Sequence, residues 1–445
     1  MKCAIVDRHA TLLLVALAVF STSLAAQQTG HRHQRRYKLV EVGTFGGPNS
    51  VYNVFSLVAR NDGTVVGAAN TSAPDPYAPN CFDNCFVQHA WRWRNGVLKD
   101  LGVLPGGYSS YTNAINALGL IVGHSQNGEF DPSTGIPSFV PALWSHGKIQ
   151  NLGTLGGAFG TAFAATDQNL IAGIAENGTI DTSGFGQTFG FSGVMEIHAV
   201  GWRGKEIFDL GTLGGPGAIA GDMNNLGEIV GMSPTDPNPG PYGFPPVAPF
   251  LWDKGKMRNL GTLGGSFGVA GAVNNRGQVV GSSSLAENPF ACFTGEAGCH
   301  PFIWQHGKLK DLGTLGGTFA NGEWLNDAGE VIGFSMTTGD EALHAFFWKN
   351  GNMSDLGTVD GDNSSNAFGI NVRGQVVGQS WFFDGQDLTS SHAFVWENSG
   401  PMVDLNTVVC NPTDMDLVEA NFITDRGWII ARGFLPNGDL HTAIL

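Results

Sequence analysis

Apolar stretches of four to six residues alternate with turns rich in Gly, Asn, Ser and Asp along almost the whole chain. One unit shows the pattern, with apolar stretches at residues 353–357, 367–370, 375–378 and 392–396. Short runs of β-branched and aromatic residues bounded by turn residues are typical of β-strands. Helical periodicity is absent beyond the N-terminal segment, so the pattern predicts an all-β protein.

Two kinds of tight turn connect the predicted strands. Asn-x-x-Gly recurs at residues 116–119, 224–227, 274–277, 326–329 and 371–374. A type I turn favours Asn first and Gly where φ becomes positive, and a strand after it gives a hairpin. Asn169 replaces the glycine in one unit, and Asn tolerates the left-handed region best. A second turn follows the tryptophans, as at residues 93–96, so each unit has about four strands.

The phrase Asp-Leu-Gly-Thr-Leu-Gly-Gly at residues 311–317 marks the repeat. Closer and looser copies stand at residues 42–47, 100–107, 151–157, 209–215, 259–265, 355–361 and 404–407. Four strands in roughly 50 residues is the spacing of a β-propeller blade. We predict eight blades, with seven as the alternative if a terminal unit is degenerate. We also expect the strands at residues 37–41 and 441–445 to pair, so that the last strand completes the first blade and closes the ring.

The N-terminus predicts export. Lys2 and Arg8 precede an apolar run at residues 11–20, and small residues at 23–25 suit signal peptidase. We predict a cleaved signal peptide at residues 1–25, a short linker at 26–36 and one propeller domain of eight repeats at 37–445. An uncleaved anchor is the alternative. With the signal peptide cleaved, we predict that the protein is extracellular or periplasmic.

The composition of the chain limits the kinds of partner that the protein is expected to bind. The formal net charge is −15 and there is no basic stripe, which argues against a nucleic-acid partner. No stretch approaches the roughly 20 apolar residues of a membrane span. Glycine, at 65 of 445 residues, recurs at fixed places in the units and therefore reflects turns rather than disorder. We expect a monomer.

Five cysteines follow the signal peptide. Cys81–Cys85 and Cys292–Cys299 are natural local disulfides in an oxidising compartment, each at the foot of a long loop. Cys410 is left over, either buried or as a free thiol. A metal site formed by the same cysteines is the weaker alternative, because no second ligand pair lies nearby in sequence.

The units resemble the HAF repeat family of bacterial proteins, which takes its name from a His-Ala-Phe motif. The matching residues are His344-Ala345-Phe346-Phe347-Trp348 and His392-Ala393-Phe394-Val395-Trp396. The likeness covers residues 37–445, although Val140 and Ala248 replace the histidine and the last unit lacks the tryptophan. The resemblance implies an exported repeat protein without an established catalytic motif.

Histidines and tryptophans recur at one place in the units. A catalytic histidine is needed once, so a repeated one is expected to form the same structural hydrogen bond each time. The tryptophans are expected to pack blade against blade. The positions are His89, His198, His300, His344, His392 and His441, and Trp93, Trp144, Trp202, Trp252, Trp304, Trp348 and Trp396.

The start of a calcium loop is suggested by Asp360 and Asp362, which place oxygen ligands at alternate positions. The downstream bidentate glutamate is missing and no other unit repeats the pattern. We therefore favour a plain acidic turn and predict no cofactor, with calcium as the weaker alternative.

Long loops of variable sequence precede the His-Ala-Phe strand and should emerge on one face of the ring. Function concentrates in such loops. Their aromatic residues, among Asp and Asn neighbours, suit a glycan or protein ligand; the alternative is that they only hold their own loops in place. The candidates are Tyr77, Phe82, Phe130, Phe189, Tyr242, Phe244, Trp381 and Phe382.

We interpret the chain as a secreted or cell-envelope binding or scaffold module. One alternative is a polysaccharide lyase or glycoside hydrolase, whose paired carboxylates would have to converge within about 5–10 Å. The other alternative is a structural component of the surface layer. The carboxylates considered for an enzyme are Asp75, Asp83, Asp131 and Asp236.

Overall fold

The computed structural model describes residues 35–79, 81, 84–189, 194–288, 291–294, 297–411 and 413–445. The predicted signal peptide, nearly all of the predicted linker, Phe82 and Asp83 lie outside these ranges. Within them, no helix is both long and apolar enough to cross a membrane.

The described ranges form eight four-stranded antiparallel blades, the predicted number and the predicted β-propeller fold. One parallel bridge, Cys299 with Phe319, links blades 5 and 6. The first strand, β1 Val40–Glu41, belongs to blade 8. Blades 1 and 2 contain β2 Gly46–Val51, β3 Val65–Pro74, β4 Phe86–Arg94, β5 Val97–Asp100, β6 Ser110–Ile115, β7 Ile121–Phe130, β8 Pro137–Ser145 and β9 Lys148–Asn151. Blades 3 and 4 contain β10 Gly160–Ala165, β11 Leu170–Ile180, α1 Phe185–Thr188, β12 Met195–Arg203, β13 Glu206–Asp209, β14 Ile219–Met223, β15 Ile229–Pro234, β16 Val247–Asp253 and β17 Lys256–Asn259.

The second half of the chain continues the same order. Blades 5 and 6 contain β18 Gly268–Val273, β19 Val279–Ser284, α2 Ala291–Thr294, β20 Cys299–Gln305, β21 Lys308–Asp311, β22 Gly316–Leu325, β23 Val331–Thr337, a 3-10 turn Thr338–Asp340, β24 Leu343–Lys349 and β25 Asn352–Asp355. Blades 7 and 8 contain β26 Ser364–Ile370, β27 Val376–Phe383, β28 Leu388–Trp396, β29 Val403–Asp404, a 3-10 turn Leu405–Val408, β30 Asp416–Ile423, β31 Ile429–Phe434 and β32 Leu440–Ile444.

The terminal strands β1 and β32 pair antiparallel, with Val40 opposite Ile444 and Glu41 opposite Ala443. The expectation that the last strand completes the first blade is wrong in one respect, because the N-terminal strand completes the last blade instead. The reason is local. The tight turn after each tryptophan pairs the short Asp-Leu-Gly strand with the tryptophan strand before it, as β5 pairs β4. That strand is therefore the fourth of its blade rather than the first of the next.

Antiparallel order divides the connections between two faces of the ring. The turns after the first and third strands lie on one face, which we call the turn face. The variable loops after the second strand and the Thr-Leu-Gly-Gly connections between blades lie on the other, the loop face. The first strands of neighbouring blades contact one another and surround the central axis, as β6, β10 and β14 do.

The Asn-x-x-Gly turns have the predicted conformation and also join the blades. Their glycines have positive φ, for example 87° at Gly119, and so does the substitute Asn169, at 63°. Each asparagine accepts backbone N–H groups within its turn, as Asn274 does from Arg276 and Gln278. Its amide also donates to the matching carbonyl of the next blade, which the sequence did not predict. The inter-blade bonds run from Asn116 to Thr166, Asn224 to Asn274, Asn274 to Asn326, Asn326 to Asn371 and Asn371 to Thr424.

The repeated tryptophans pack between blades, as predicted. Trp202 of blade 3 packs in one cluster with Ala114 and Val122 of blade 2. The ring of Trp252 in blade 4 stacks on Phe208 of blade 3, with centroids 5.9 Å apart. Burial of these large rings stabilises each interface, because every blade alone would leave its apolar faces in water.

Candidate functional site

The repeated histidines form one structural hydrogen bond, as predicted. The histidine of the third strand contacts the aspartate that ends the fourth strand, eleven residues later. Its Nδ1 atom lies 2.7–2.9 Å from the carboxylate in the pairs His89–Asp100, His198–Asp209, His300–Asp311 and His344–Asp355. The same aspartate accepts the backbone N–H two residues on, as Asp209 does from Gly211. The pair therefore holds the backbone in place at the start of the connection between blades.

Substitutions within the chain support this structural role. Blades 2 and 4 lack the histidine, at Val140 and Ala248, and there the aspartate is replaced by Asn151 and Asn259. Both asparagines still accept the glycine N–H, at 2.8 and 2.7 Å. In blade 8, His441 instead contacts Glu41 of the N-terminal strand, at 2.6 Å. The paired change is visible in the sequence alone.

The electrostatics of the blade 3 pair favour two charges. Burial opposes a charge on His198, but the hydrogen bond and the negative charge of Asp209 raise the pKa of this histidine overall. Burial likewise opposes ionisation of Asp209, while the His198 and Gly211 hydrogen bonds lower the pKa of its carboxyl overall. The pair is an ion pair under mildly acidic conditions.

The calcium alternative rests on two residues with different environments. Asp362 has a side chain that is 1% exposed, and its carboxylate lies 2.9 Å from His392 Nδ1 and accepts Ser390 Oγ at 3.0 Å. Asp360 is exposed. Asp362 thus replaces the aspartate of the fourth strand as the partner of the blade 7 histidine. Among the described residues, no group of three or more His, Cys, Asp or Glu side chains is arranged to hold a metal ion.

Two disulfides lie at the foot of the loops of blades 1 and 5, as predicted. They join Cys81 to Cys85 and Cys292 to Cys299. Of the two alternatives given for Cys410, the free thiol is excluded, because none of the cysteines in the described ranges is free.

Three aromatic side chains from blades 1 and 2 meet on the loop face. Tyr77 lies edge-on to Tyr108 and to Phe130, with ring centroids 5.5 and 5.3 Å apart. Tyr108 is 46% exposed and Phe130 is 48% exposed. Tyr77 and Phe130 were candidates from the sequence, whereas Tyr108 was missed because it follows the Gly-Gly of a connection rather than lying in a variable loop. We call these three residues the aromatic trio.

The remaining candidates do not join the trio. Phe189 and Phe244 pack with Phe185 at centroid distances of 5.2 and 6.3 Å from it, and Phe244 is only 6% exposed. These rings hold the loops of blades 3 and 4 together, which is the alternative role given above. Tyr242 is 52% exposed on its own loop. Trp381 and Phe382 are half-buried at the end of β27.

Three of the four carboxylates considered for an enzyme cap their own loops, and the fourth, Asp83, lies outside the described residues. Asp75 accepts the Tyr77 N–H at 2.9 Å, and Asp236 accepts the Asn238 N–H at 2.8 Å. Asp131 accepts Thr134 Oγ1 and Ser133 Oγ, both at 2.7 Å. Burial raises the pKa of Asp131, but these hydrogen bonds outweigh it and lower the pKa overall. Such carboxylates already have structural partners.

A cavity of about 510 Å³ occupies the ring axis and opens on the turn face. First strands and their turns line it, and the wall includes Phe163, Asp222, Trp324 and Phe422. Burial raises the pKa of the Asp222 carboxyl to about 6, against hydrogen bonds from the Val273 and Met223 N–H groups. This cavity was not predictable from the sequence, because its residues lie in short strands whose pattern indicates only blade core.

No protein-family model and no curated protein matches the chain. Solved structures with a similar fold include the β-propeller domain of the trilobed protease from Pyrococcus furiosus, with 8% identity, coverage of 75% of this chain and 93% of that one, and a TM-score of 0.43. Pyrococcus horikoshii acylaminoacyl peptidase has 11% identity, coverage of 86% and 59%, and a TM-score of 0.43. A family PL25 ulvan lyase has 10% identity, coverage of 91% and 95%, and a TM-score of 0.40. Likenesses this distant concern the fold alone.

Proposed function

We propose that this β-propeller is a binding module outside the cytoplasm that holds a neutral polysaccharide on its loop face, at the aromatic trio. The observation that carries the proposal is the exposure of Tyr108 and Phe130, at 46% and 48%, beside Tyr77. Large aromatic rings gathered on a surface expose apolar area that a partner can cover. The C–H faces of a sugar ring suit such a surface, and the tyrosine hydroxyls can bond its hydroxyl groups.

The charge of the chain selects against acidic glycans. The formal net charge is −15, and the charged residues that flank the trio in sequence are Asp75, Glu129 and Asp131. A uronate or sulfate group would approach like charge there, with no lysine or arginine adjacent in sequence to compensate. A neutral polysaccharide pays no such repulsion.

The two disulfides support a location outside the cytoplasm, where such bonds persist. The same proposal includes the cleaved signal peptide, a place in the HAF repeat family, a monomeric state and no nucleic-acid partner. A scaffold role at the cell surface would use the same face.

Retention on insoluble polysaccharides tests the proposal. The purified protein is incubated at pH 7 with cellulose, chitin, starch and a neutral xylan, and with alginate and pectate as acidic comparisons. We expect retention by at least one neutral polymer and little by the acidic ones. The variants Y108A and F130A should each lower retention about tenfold, the effect of roughly 1.4 kcal/mol of lost contact.

Tyr242→Ala is the matched control, because Tyr242 is similarly exposed on the loop face and belongs to no aromatic cluster of the described residues. Retention should be unchanged in this variant. Failure of the folded wild-type protein to bind any neutral polymer would overturn the proposal. New sugar ends formed during the incubation would show that the protein is a lyase or hydrolase rather than a binding module.

A further inference from the structure

We infer a second binding site, for a small organic cation bearing an ammonium group, in the axial cavity that opens on the turn face. The inference is independent of the loop face, since the cavity lies at the opposite end of the ring. Its volume of about 510 Å³ is that of a small-molecule pocket, for which about 300–1,000 Å³ is usual. Its wall combines mostly apolar residues of the first strands with polar residues of the turns, a mixture that suits a guest with one charged and one apolar part.

The lining departs from the repeat at one position of the first strand. The pairing of first and second strands shows which residues occupy this equivalent position in five of the blades. They are Ala164, Asp222, Ala272, Trp324 and Phe422. Small residues there show that the fold needs neither a carboxylate nor a large ring. Because alanine suffices for the blade at this position, Asp222, Trp324 and Phe422 are free to serve a ligand there.

Asp222 lacks a cationic neighbour. Its Oδ2 atom accepts the Val273 N–H at 2.9 Å, and no ion pair involving it occurs within the described ranges. Burial makes its ionised form costly, as the raised pKa of about 6 records. A bound cation would stabilise the ionised carboxylate of Asp222, and this stabilisation would contribute to the free energy of binding.

Aromatic rings complete the chemistry. Phe163, Trp324 and Phe422 come from blades 3, 6 and 8 and are half-buried, so part of each ring faces the cavity. Ring faces attract ammonium groups, and a carboxylate among aromatic rings is a favourable environment for a desolvated ammonium. The rim carries Asp62, Asp327 and Asp425 against two arginines, so with Asp222 the opening is negative overall and attracts cations.

Calorimetric titration of the full chain at pH 7.5 tests the site. The probes are choline, putrescine, and 3,3-dimethylbutan-1-ol, the neutral isostere of choline. We expect at least one cation to bind at least tenfold more tightly than the neutral isostere. Asp222→Asn keeps an oxygen for the Val273 N–H and should weaken that cation at least tenfold, and Trp324→Leu should also weaken it.

Glu206→Gln is the control for charge. Glu206 is exposed on the outer strand β13 and is not among the residues that line the cavity, and removing its charge should leave the affinity unchanged. Equal binding of the neutral isostere, an unchanged affinity in a folded Asp222→Asn variant, or no binding of either cation by the wild type would each overturn the inference.

Discussion

Replacing Asn326 by alanine would remove the inter-blade bond together with the turn that carries it. The amide of Asn326 donates to the Asn371 carbonyl at 2.9 Å and to Glu330 Oε2 at 2.6 Å. Its Oδ1 atom accepts the Ala328 and Glu330 N–H groups at 2.9 and 3.1 Å, and the residue is 5% exposed. Four bonds of about 0.5–1.5 kcal/mol each, partly replaced by water at the turn face, give a loss of about 2–4 kcal/mol.

Differential scanning calorimetry measures this loss. Unfolding entropy of about 2.1 cal/mol/K per residue, scaled to a propeller of roughly 400 residues, converts it to a fall in Tm of about 2–5 °C. Asn326→Asp keeps the acceptor but places a carboxylate against Glu330 and the Asn371 carbonyl, so its Tm should be as low as that of the alanine variant or lower. Asn352→Ala, at an exposed strand position, should change Tm by less than about 1 °C. A Tm of N326A equal to that of N352A would refute the reasoning that these asparagines join the blades.

Other perturbations follow from the same contacts. Deleting residues 441–445 removes most of β32 and its pairing with β1, and should lower Tm sharply and promote aggregation; an unchanged melt would contradict the role of the terminal strands. C292A/C299A should cost about 2–3 kcal/mol, the chain entropy of an eight-residue loop, measurable as a lower Tm under non-reducing conditions. The double variant H198A/D209N gives blade 3 the residue types that blade 4 has at these positions, Ala248 and Asn259. The raised His198 pKa stabilises the fold below its unfolded pKa near 6.5, and this is lost as pH rises through the folded value. The lowered Asp209 pKa stabilises the fold above about 3.9, and this is lost as pH falls through its folded value. The Tm difference from wild type should therefore be greatest between about pH 4 and 6.5, and a flat difference would contradict the ion pair.

Local turn chemistry made most of the fold predictable. Asn and Gly at fixed offsets specify the hairpins whatever their surroundings, and the predicted positive φ appears at Gly119 and Asn169. The predicted blade boundary was wrong by one strand. The blade to which a strand such as β5 belongs depends on whether it pairs with the strand before it or with the strand after it. The inter-blade bond of Asn326 depends on the ring geometry, which a repeat pattern does not contain.

The candidate sites were less predictable, because they depend on which loops meet in space. Tyr108 comes from a connection and joins Tyr77 and Phe130 only after blades 1 and 2 pack. Phe244 has the same aromatic character in sequence but turns into the protein. Asp222 resembles any acidic strand residue until the ring places it on the axis. Correlated changes such as Ala248 with Asn259 were readable and point to a structural rather than a catalytic histidine.

Hydrogen exchange of the full chain, with and without a polysaccharide that retains it, tests the central claim most directly. The account predicts slower exchange confined to the backbone around Tyr77, Tyr108 and Phe130 on the loop face. The turn face, including the Asn-x-x-Gly turns, should exchange at an unchanged rate. Protection centred on other blades, or on the turn face, would contradict the assignment of the aromatic trio as the binding surface.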